Sequence, residues 1–366
     1  MPLEIRGGVR AAPVPGSTPQ ERQALRWAPD GRDRTADPAY VARTARENEE
    51  DGLDSALVVQ SSSWPDPWLV ASWALAATSR LRIAVAHRVG TTAPTVAARS
   101  LATLDHLSGG RAAAHVIIGS SDRDTARDGD LLGKAERYRR AEEYLDLFTR
   151  YLTADQDIDH KGEFYTVAAA RPGLIPRPRP GGELLSFGGS SPQGLDLAAR
   201  YAEVYAVSPL PLPDTRRRIA QARAAAAAHG RTLRIWRHIT VVLADTDEEA
   251  RDRVRRLRRD ALRLTSGGAG GRWREAVQLD RDRERGHSDP DHGEEQVTAY
   301  IRRSLTAAYA GSPDTVAARI GLLGSAGVDI VQLDLPVETD HDRELRRALV
   351  RRLRAGHGTP ADRRGW

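Results

Sequence analysis

The stretch "LRIAVAHRVGTTAPTVAARSLATLDHLSGGRAAAHVIIG", residues 81–119, decides the fold. "LRIAVAHRV" and "AAAHVIIG" are short apolar runs of strand length. Between them, "APTVAARSLATLDHLS" reads as a helix, closed by Gly109 and Gly110. Two buried strands joined by a helix predict a parallel pair.

The same alternation extends in both directions. Upstream lie a strand near "LEIRGGV", the helix "DPAYVARTARENEEDG", the strand "SALVVQ" and the helix "PWLVASWALAATS". Downstream, the amphipathic helix "KAERYRRAEEYLDLFTRYLT" precedes "HKGEFYTV", a strand on a hairpin outside the main alternation. Strands at "ELLSFG", "AEVYAVS", "LRIWRHITVVLA" and "GVDIVQLDLP" then alternate with helices, and further helices are expected around 296–310 and 313–325. Eight strand candidates separated by helices predict a closed (β/α)8 TIM barrel with insertion segments, in one domain over 1–366. An open doubly wound sheet with a second domain is the alternative.

Two segments break the pattern. Residues 10–36 are rich in Pro, Arg and Asp and are expected to be irregular loop. Residues 265–295 combine a glycine cluster with strong polarity and are expected to be a mobile insertion loop, either a lid or an uninvolved surface segment.

Composition narrows the function classes. Cysteine is absent, which removes disulfides, thiolate metal ligands and cysteine nucleophiles. No run approaches the roughly 18 consecutive apolar residues of a membrane span, and the N-terminus lacks the apolar region of a secretory signal, so a cytoplasmic location is expected. The net charge of +5 invites a nucleic-acid reading, but the arginines are dispersed through helices with aspartate and leucine, as in "RDRVRRLRRDALRL". Neither nucleic acid nor membrane is therefore an expected partner. No His/Asp/Glu group has metal-ligand spacing, and neither a nucleophile elbow nor a dinucleotide fingerprint occurs.

At 186–194, "SFGGSSPQG" places Gly188, Gly189, Ser190 and Ser191 where a strand hands over to a helix. Such a turn aims unpaired N–H groups and the positive helix end at an anion. An ordinary tight turn with a serine cap is the other reading.

Four segments together carry a resemblance: 93–122, 134–148, 186–205 and 312–336, in order and at matching spacing. The chain resembles the bacterial-luciferase-like flavin monooxygenases, in particular the alkanesulfonate monooxygenase branch, over about residues 38–338. The resemblance implies a barrel with an insertion, often dimeric. It also implies reduced FMN (FMNH2) from a separate flavin reductase, the two-component arrangement, and O2 activated as a flavin C4a-hydroperoxide. In that family the glycine-serine turn receives the FMN phosphate. Tyr138 matches a family tyrosine near the phosphate in the pattern His-x-x-x-Tyr, with Lys134 in the histidine's place. Thr92 stands at the strand-3 end, where relatives place a flavin-contacting Thr or Ser, and Gly119 and Ser120 close strand 4.

Departures from the family pattern bear on the substrate. Trp64 falls near the position of the family's cysteine after strand 2. The strand-7 Arg-x-His is matched without gaps by His238 and Thr240, while a one-residue slip aligns Arg237. Strand periodicity places Trp236, His238 and Thr240 on one face and Arg237 on the other. The family's late tyrosine and mobile-loop arginine have no counterparts, so a simple alkanesulfonate is not the expected substrate. His238 first, His87 second and His115 are the candidate proton shuttles. Trp64, Trp68 and Trp236 are candidate pocket walls. Hydride transfer with the deazaflavin F420, and a non-catalytic flavin-binding role, are the alternatives.

Overall fold

The computed structural model describes residues 2–27, 35–62, 64–119, 122–177, 182–266 and 301–356. Strands β1 (Glu4–Val9), β2 (Ser55–Val58), β3 (Arg82–Arg88) and β4 (Ala112–Ile117) pair in sequence order, all parallel. After the antiparallel hairpin β5 (Ile158–Lys161) and β6 (Thr166–Ala170), the order resumes with β7 (Leu185–Gly188), β8 (Val204–Val207) and β9 (Arg234–Leu243). Among the described residues strand β10 (Tyr309–Gly311) pairs with β9 alone, while β11 (Ile330–Asp334) pairs with both β9 and β1. That last pairing closes eight parallel strands into a (β/α)8 barrel.

The helices cover the outside: α1 (Pro19–Leu25), α2 (Pro38–Glu50), α3 (Pro67–Ala76), α4 (Pro94–Ser108), α5 (Asp122–Arg127) and α6 (Lys134–Thr153) in the first half. The second half adds α7 (Pro192–Tyr201), α8 (Leu212–Ala228), α9 (Asp247–Ser266), α10 (Pro313–Ser325) and α11 (Asp340–Gly356). Local chemistry sets their ends. Helix α4 starts with Pro94 in its first turn and stops at Gly109, whose φ of 72° is the left-handed cap that glycine adopts without strain. Alternation then sorts the strand side chains. Ile83, Val85, Ala112, Ala114, Val116 and Phe187 pack outward against the helices, while Leu57, Ala84, Ala86, Ala113, Val204, Trp236 and Ile330 fill the barrel.

Two expectations need correction. Residues 10–36 are not wholly irregular, because Pro19–Leu25 form helix α1. Thr18 Oγ1 accepts the Glu21 amide at 3.2 Å, and the Glu21 carboxylate accepts the Ser17 amide at 2.8 Å. This is close to a capping box, legible as "TPQE" beneath the Pro/Arg/Asp composition. The helix expected over 296–310 is helical at 301–306, but Tyr309–Gly311 are strand β10. Strand β9 runs ten residues, and its last three offer β10 a free edge. The glycine cluster and most of 265–295 lie outside the described residues, as does Ser120. No described helix is long and apolar enough to cross a membrane.

Candidate active site

At the N-terminal end of the barrel the lumen is closed by ions. Arg6, 1% exposed, bonds Ser55 Oγ at 3.0 Å and pairs with Glu4 and Glu183. Glu4 also accepts Ser55 Oγ at 2.6 Å, Arg82 at 3.0 Å and Arg234 at 2.6 Å. Although burial favours its protonated form, these three arginines and Ser55 hold the Glu4 carboxyl far below the usual carboxylate range.

One layer up, the Arg6 guanidinium lies 4.4 Å from the centre of the Trp236 ring, a cation-π contact. Trp236 meets His115 edge-on at 4.5 Å. His115 Nδ1 lies 3.0 Å from Ser186 Oγ. Burial, reinforced by the charge of Arg6, pushes His115 down to about 3, so the ring is neutral.

At the C-terminal mouth, Asp334 ends β11. It accepts Arg26 Nε at 2.8 Å and Trp27 Nε1 at 3.1 Å, with Arg10 at 3.7 Å. The segment after β1 thus folds over the mouth and is pinned to the last barrel strand. Burial favours a neutral Asp334, but Arg26, Arg10 and His238 together hold its carboxyl far below the usual range. His238 is half-buried beside this group. Burial lowers its pKa, Asp334 works against that, and Arg26 and Arg10 add to it. His238 is therefore a neutral imidazole beside a fixed carboxylate near pH 7.

A second polar cluster faces it across the mouth. Arg88, 1% exposed at the end of β3, bonds Asp124 of α5 at 2.6 Å and pairs with Asp128. Asp124 accepts Ser62 Oγ at 2.6 Å, tying the β2–α3 loop to α5. Trp64 sits half-buried in that loop, its amide donating to the Ser61 carbonyl at 3.1 Å. Gly119 lies two residues beyond β4 with a φ of 88°, and a Cβ there would collide with Thr125 Cγ2. Only glycine meets both conditions.

The glycine-serine turn lies on the same rim. Ser191 caps α7 by accepting the Gly194 amide at 3.1 Å, and its hydroxyl donates to Tyr138 Oη at 2.8 Å. Gly188 and Gly189 do not use left-handed backbone; space is what they provide. A Cβ on Gly188 would stand 3.0 Å from His115 Nε2, and one on Gly189 would stand 3.1 Å from Phe187 Cε1 and 3.3 Å from Gly194 Cα. Among the described residues nothing accepts from the Ser190 or Ser191 amide, and no carboxylate bonds the turn. Two open amides plus the hydroxyls of Ser190 and Tyr138, the latter held by the Ser191 hydroxyl, form a donor set that fits a phosphate. Lys134, exposed in the first turn of α6, stands one turn before Tyr138 on the same helix face.

The remaining candidates scatter. Trp236 is turned into the lumen, and alternation places His238 and Thr240 on its face. Arg237 points outward to Thr215 and, at 2.7 Å, to the Leu210 carbonyl. His87 also points outward, into the layer between β3 and helices α3 and α6. Its Nε2 lies 2.6 Å from Tyr144 Oη, and its Nδ1 accepts Trp68 Nε1 at 3.4 Å. Trp68 therefore wraps His87 rather than the lumen, and burial pushes His87 down to about 4. Thr92 is exposed in the loop before α4, four residues beyond the end of β3. The described residues hold no group of three His, Asp or Glu arranged for a metal.

Residues that the sequence did not single out include Asp334, Arg26, Trp27, Arg88, Tyr205 and Arg218. Tyr205 Oη donates to the Gly189 carbonyl at 2.6 Å, and Arg218 reaches the Ser190 carbonyl. In a chain with 55 Lys and Arg, no composition signal separates one helical arginine from the rest. The one usable hint was that Asp334 shares a strand face with Ile330 and Gln332 in "IVQLDLP".

Comparison with solved structures supports the same architecture. EDTA monooxygenase from Chelativorans sp. BNC1 superposes with a TM-score of 0.73 at 20% identity, over 98% of this chain and 95% of that one. Riboflavin lyase, solved with modified FMN and riboflavin, gives 0.72 at 20% identity over 97% and 92%. Coenzyme F420-dependent tetrahydromethanopterin reductase from Methanopyrus kandleri gives 0.69 at 15% identity over 98% and 100%. At these identities the likeness establishes the fold. The model of the luciferase-like monooxygenase family matches residues 16–329, most of the chain. That match, over a closed barrel, shows that this chain belongs to the luciferase-like monooxygenase family.

Proposed function

We propose that the protein is a reduced-FMN- and O2-dependent monooxygenase of a small organic substrate, supplied with reduced flavin by a separate reductase. One observation carries the flavin assignment. The turn at Gly188–Ser191 keeps two amides without acceptors among the described residues, beside Tyr138, on the rim where barrel enzymes do their chemistry. Bound reduced flavin would supply two electrons to O2, so that one oxygen atom enters the substrate and the other leaves as water. The chain's own residues do the rest.

Ser190, Ser191 and Tyr138 hold the phosphate, with Lys134 as an added charge on the same side. The Arg26–Trp27 arm, fastened to Asp334, roofs one side of the mouth and limits water. His238, neutral at working pH, accepts a proton on its unprotonated ring nitrogen, and Asp334 stabilises the resulting charge. Trp236 closes the lumen beneath, Thr240 adds a hydroxyl on the same face, and Trp64 borders the β2 side. A tryptophan near the family's cysteine position, without the family's arginine and tyrosine, favours an uncharged apolar or aromatic substrate over an alkanesulfonate.

The deciding experiment is anaerobic titration with reduced FMN and, separately, reduced F420, followed by admission of O2. Saturable binding of reduced FMN and oxygen uptake faster than free flavin shows are expected. Binding of F420 alone, without oxygen uptake, would overturn the proposal in favour of hydride transfer.

A further inference from the structure

The glycine-serine turn has two sides, and different elements control them. Tyr205, on β8, donates its hydroxyl to the Gly189 carbonyl at 2.6 Å. Arg218, on α8, donates Nη2 to the Ser190 carbonyl and also to Tyr205 Oη at 3.0 Å. In a trans peptide the carbonyl of one residue and the N–H of the next point in opposite directions. No described peptide bond is cis. Anchoring the Gly189 carbonyl therefore orients the Ser190 N–H, and anchoring the Ser190 carbonyl orients the Ser191 N–H. Both are turned away from Tyr205 and Arg218, and both lack acceptors among the described residues.

We infer that Tyr205 and Arg218 are positioning residues that hold these two consecutive amides ready for the flavin phosphate, an inference that rests on the phosphate reading above. Helix capping does not require them, because Ser191 caps α7 by itself through the Gly194 amide. What they add is order in a Gly-Gly-Ser-Ser segment, which would otherwise lose conformational freedom on every binding event. Arg218 brings a second element: its Nε and Nη1 make no hydrogen bond among the described residues, so its charge is not neutralised at the rim.

FMN and riboflavin differ only in the phosphate, which makes their affinity ratio the appropriate readout. Wild type, Tyr205→Phe, Arg218→Gln and Arg218→Lys are titrated anaerobically with each reduced flavin. Tyr205→Phe and Arg218→Gln are expected to weaken FMN about tenfold, the scale of one lost charge-assisted hydrogen bond, and to leave riboflavin within about twofold. Arg218→Lys should recover part of the loss. Equal weakening of both flavins would mean a general structural role and would overturn the inference, as would an unchanged ratio in a wild type that prefers FMN. If wild type itself shows no preference for FMN, the phosphate reading fails and this inference fails with it.

Discussion

The two ends of the barrel use the same residue types to opposite effect. At the N-terminal end, Arg6, Arg82 and Arg234 surround Glu4, and Glu183 takes the far side of Arg6. The main charges face partners, and the lumen is closed. At the C-terminal mouth, Asp334 is also surrounded by arginines, but its neighbour is a half-buried neutral histidine, and the nearby turn keeps two amides open. Closed ion networks hold one end together; at the other end, donors stay open where the proposed flavin phosphate would sit. The division matches the general separation of stability and chemistry in this fold.

The largest effect should come from breaking the closed end. Replacing Arg6 with Met leaves Glu183 and Glu4 short of their buried partner and should cost about 3–5 kcal/mol, read by urea unfolding. Flavin affinity of the folded fraction should stay within about twofold of wild type. A large affinity loss in folded protein would mean that the two ends are not separable.

Acid sharpens the contrast next. His87 is pushed down to about 4 by burial, against an unfolded value near 6.5, so the unfolded chain binds the extra proton first. Stability from this residue is full above pH 6.5 and falls as the pH drops toward 4, by about 3 kcal/mol in all. His87→Gln should flatten that limb of the unfolding-versus-pH curve. Its flavin-dependent turnover should stay near wild type, because the ring faces the helix layer. A limb unchanged in the variant would assign the acid sensitivity elsewhere.

The smallest effect on stability should accompany a large effect on rate. His238→Gln should lower kcat by about tenfold to a hundredfold, the scale of a lost proton-transfer group. It should move unfolding by no more than about 1 kcal/mol, because the residue is only half-buried. Stopped-flow turnover beside thermal unfolding separates the two. A variant that loses stability but keeps its rate would place His238 among the packing residues.

The features legible in the chain itself follow from physics that acts between near neighbours. "LRIAVAHRV" and "AAAHVIIG" announce strands because runs this short and apolar must be covered on both faces. Glycines past "LATLDHLS" announce the helix end, because Gly109 adopts the φ of 72° that other residues avoid. That Trp236, His238 and Thr240 share one face, opposite Arg237, was legible from the two-residue period alone. His87 shows where that reasoning stops. It lies on a strand near the mouth, yet it faces Tyr144, Trp68 and Phe148. Parity within one strand does not say which face is the lumen until the barrel closes. The arm at Arg26 and Trp27 was hidden for a different reason. Its partner, Asp334, is more than three hundred residues away along the chain, and no spacing rule spans that distance.

The sequence alone therefore determined the repeat: eight buried strands with helices between them, and a bare glycine-serine backbone at one handover. It could do so because hydrophobic period, capping and glycine freedom are properties of neighbouring residues. Only the tertiary structure decided which histidine faces the lumen, which arginines stand beside a carboxylate and which carbonyls are held so that two amides stay open. Those are distances between residues that meet only when the last strand pairs with the first.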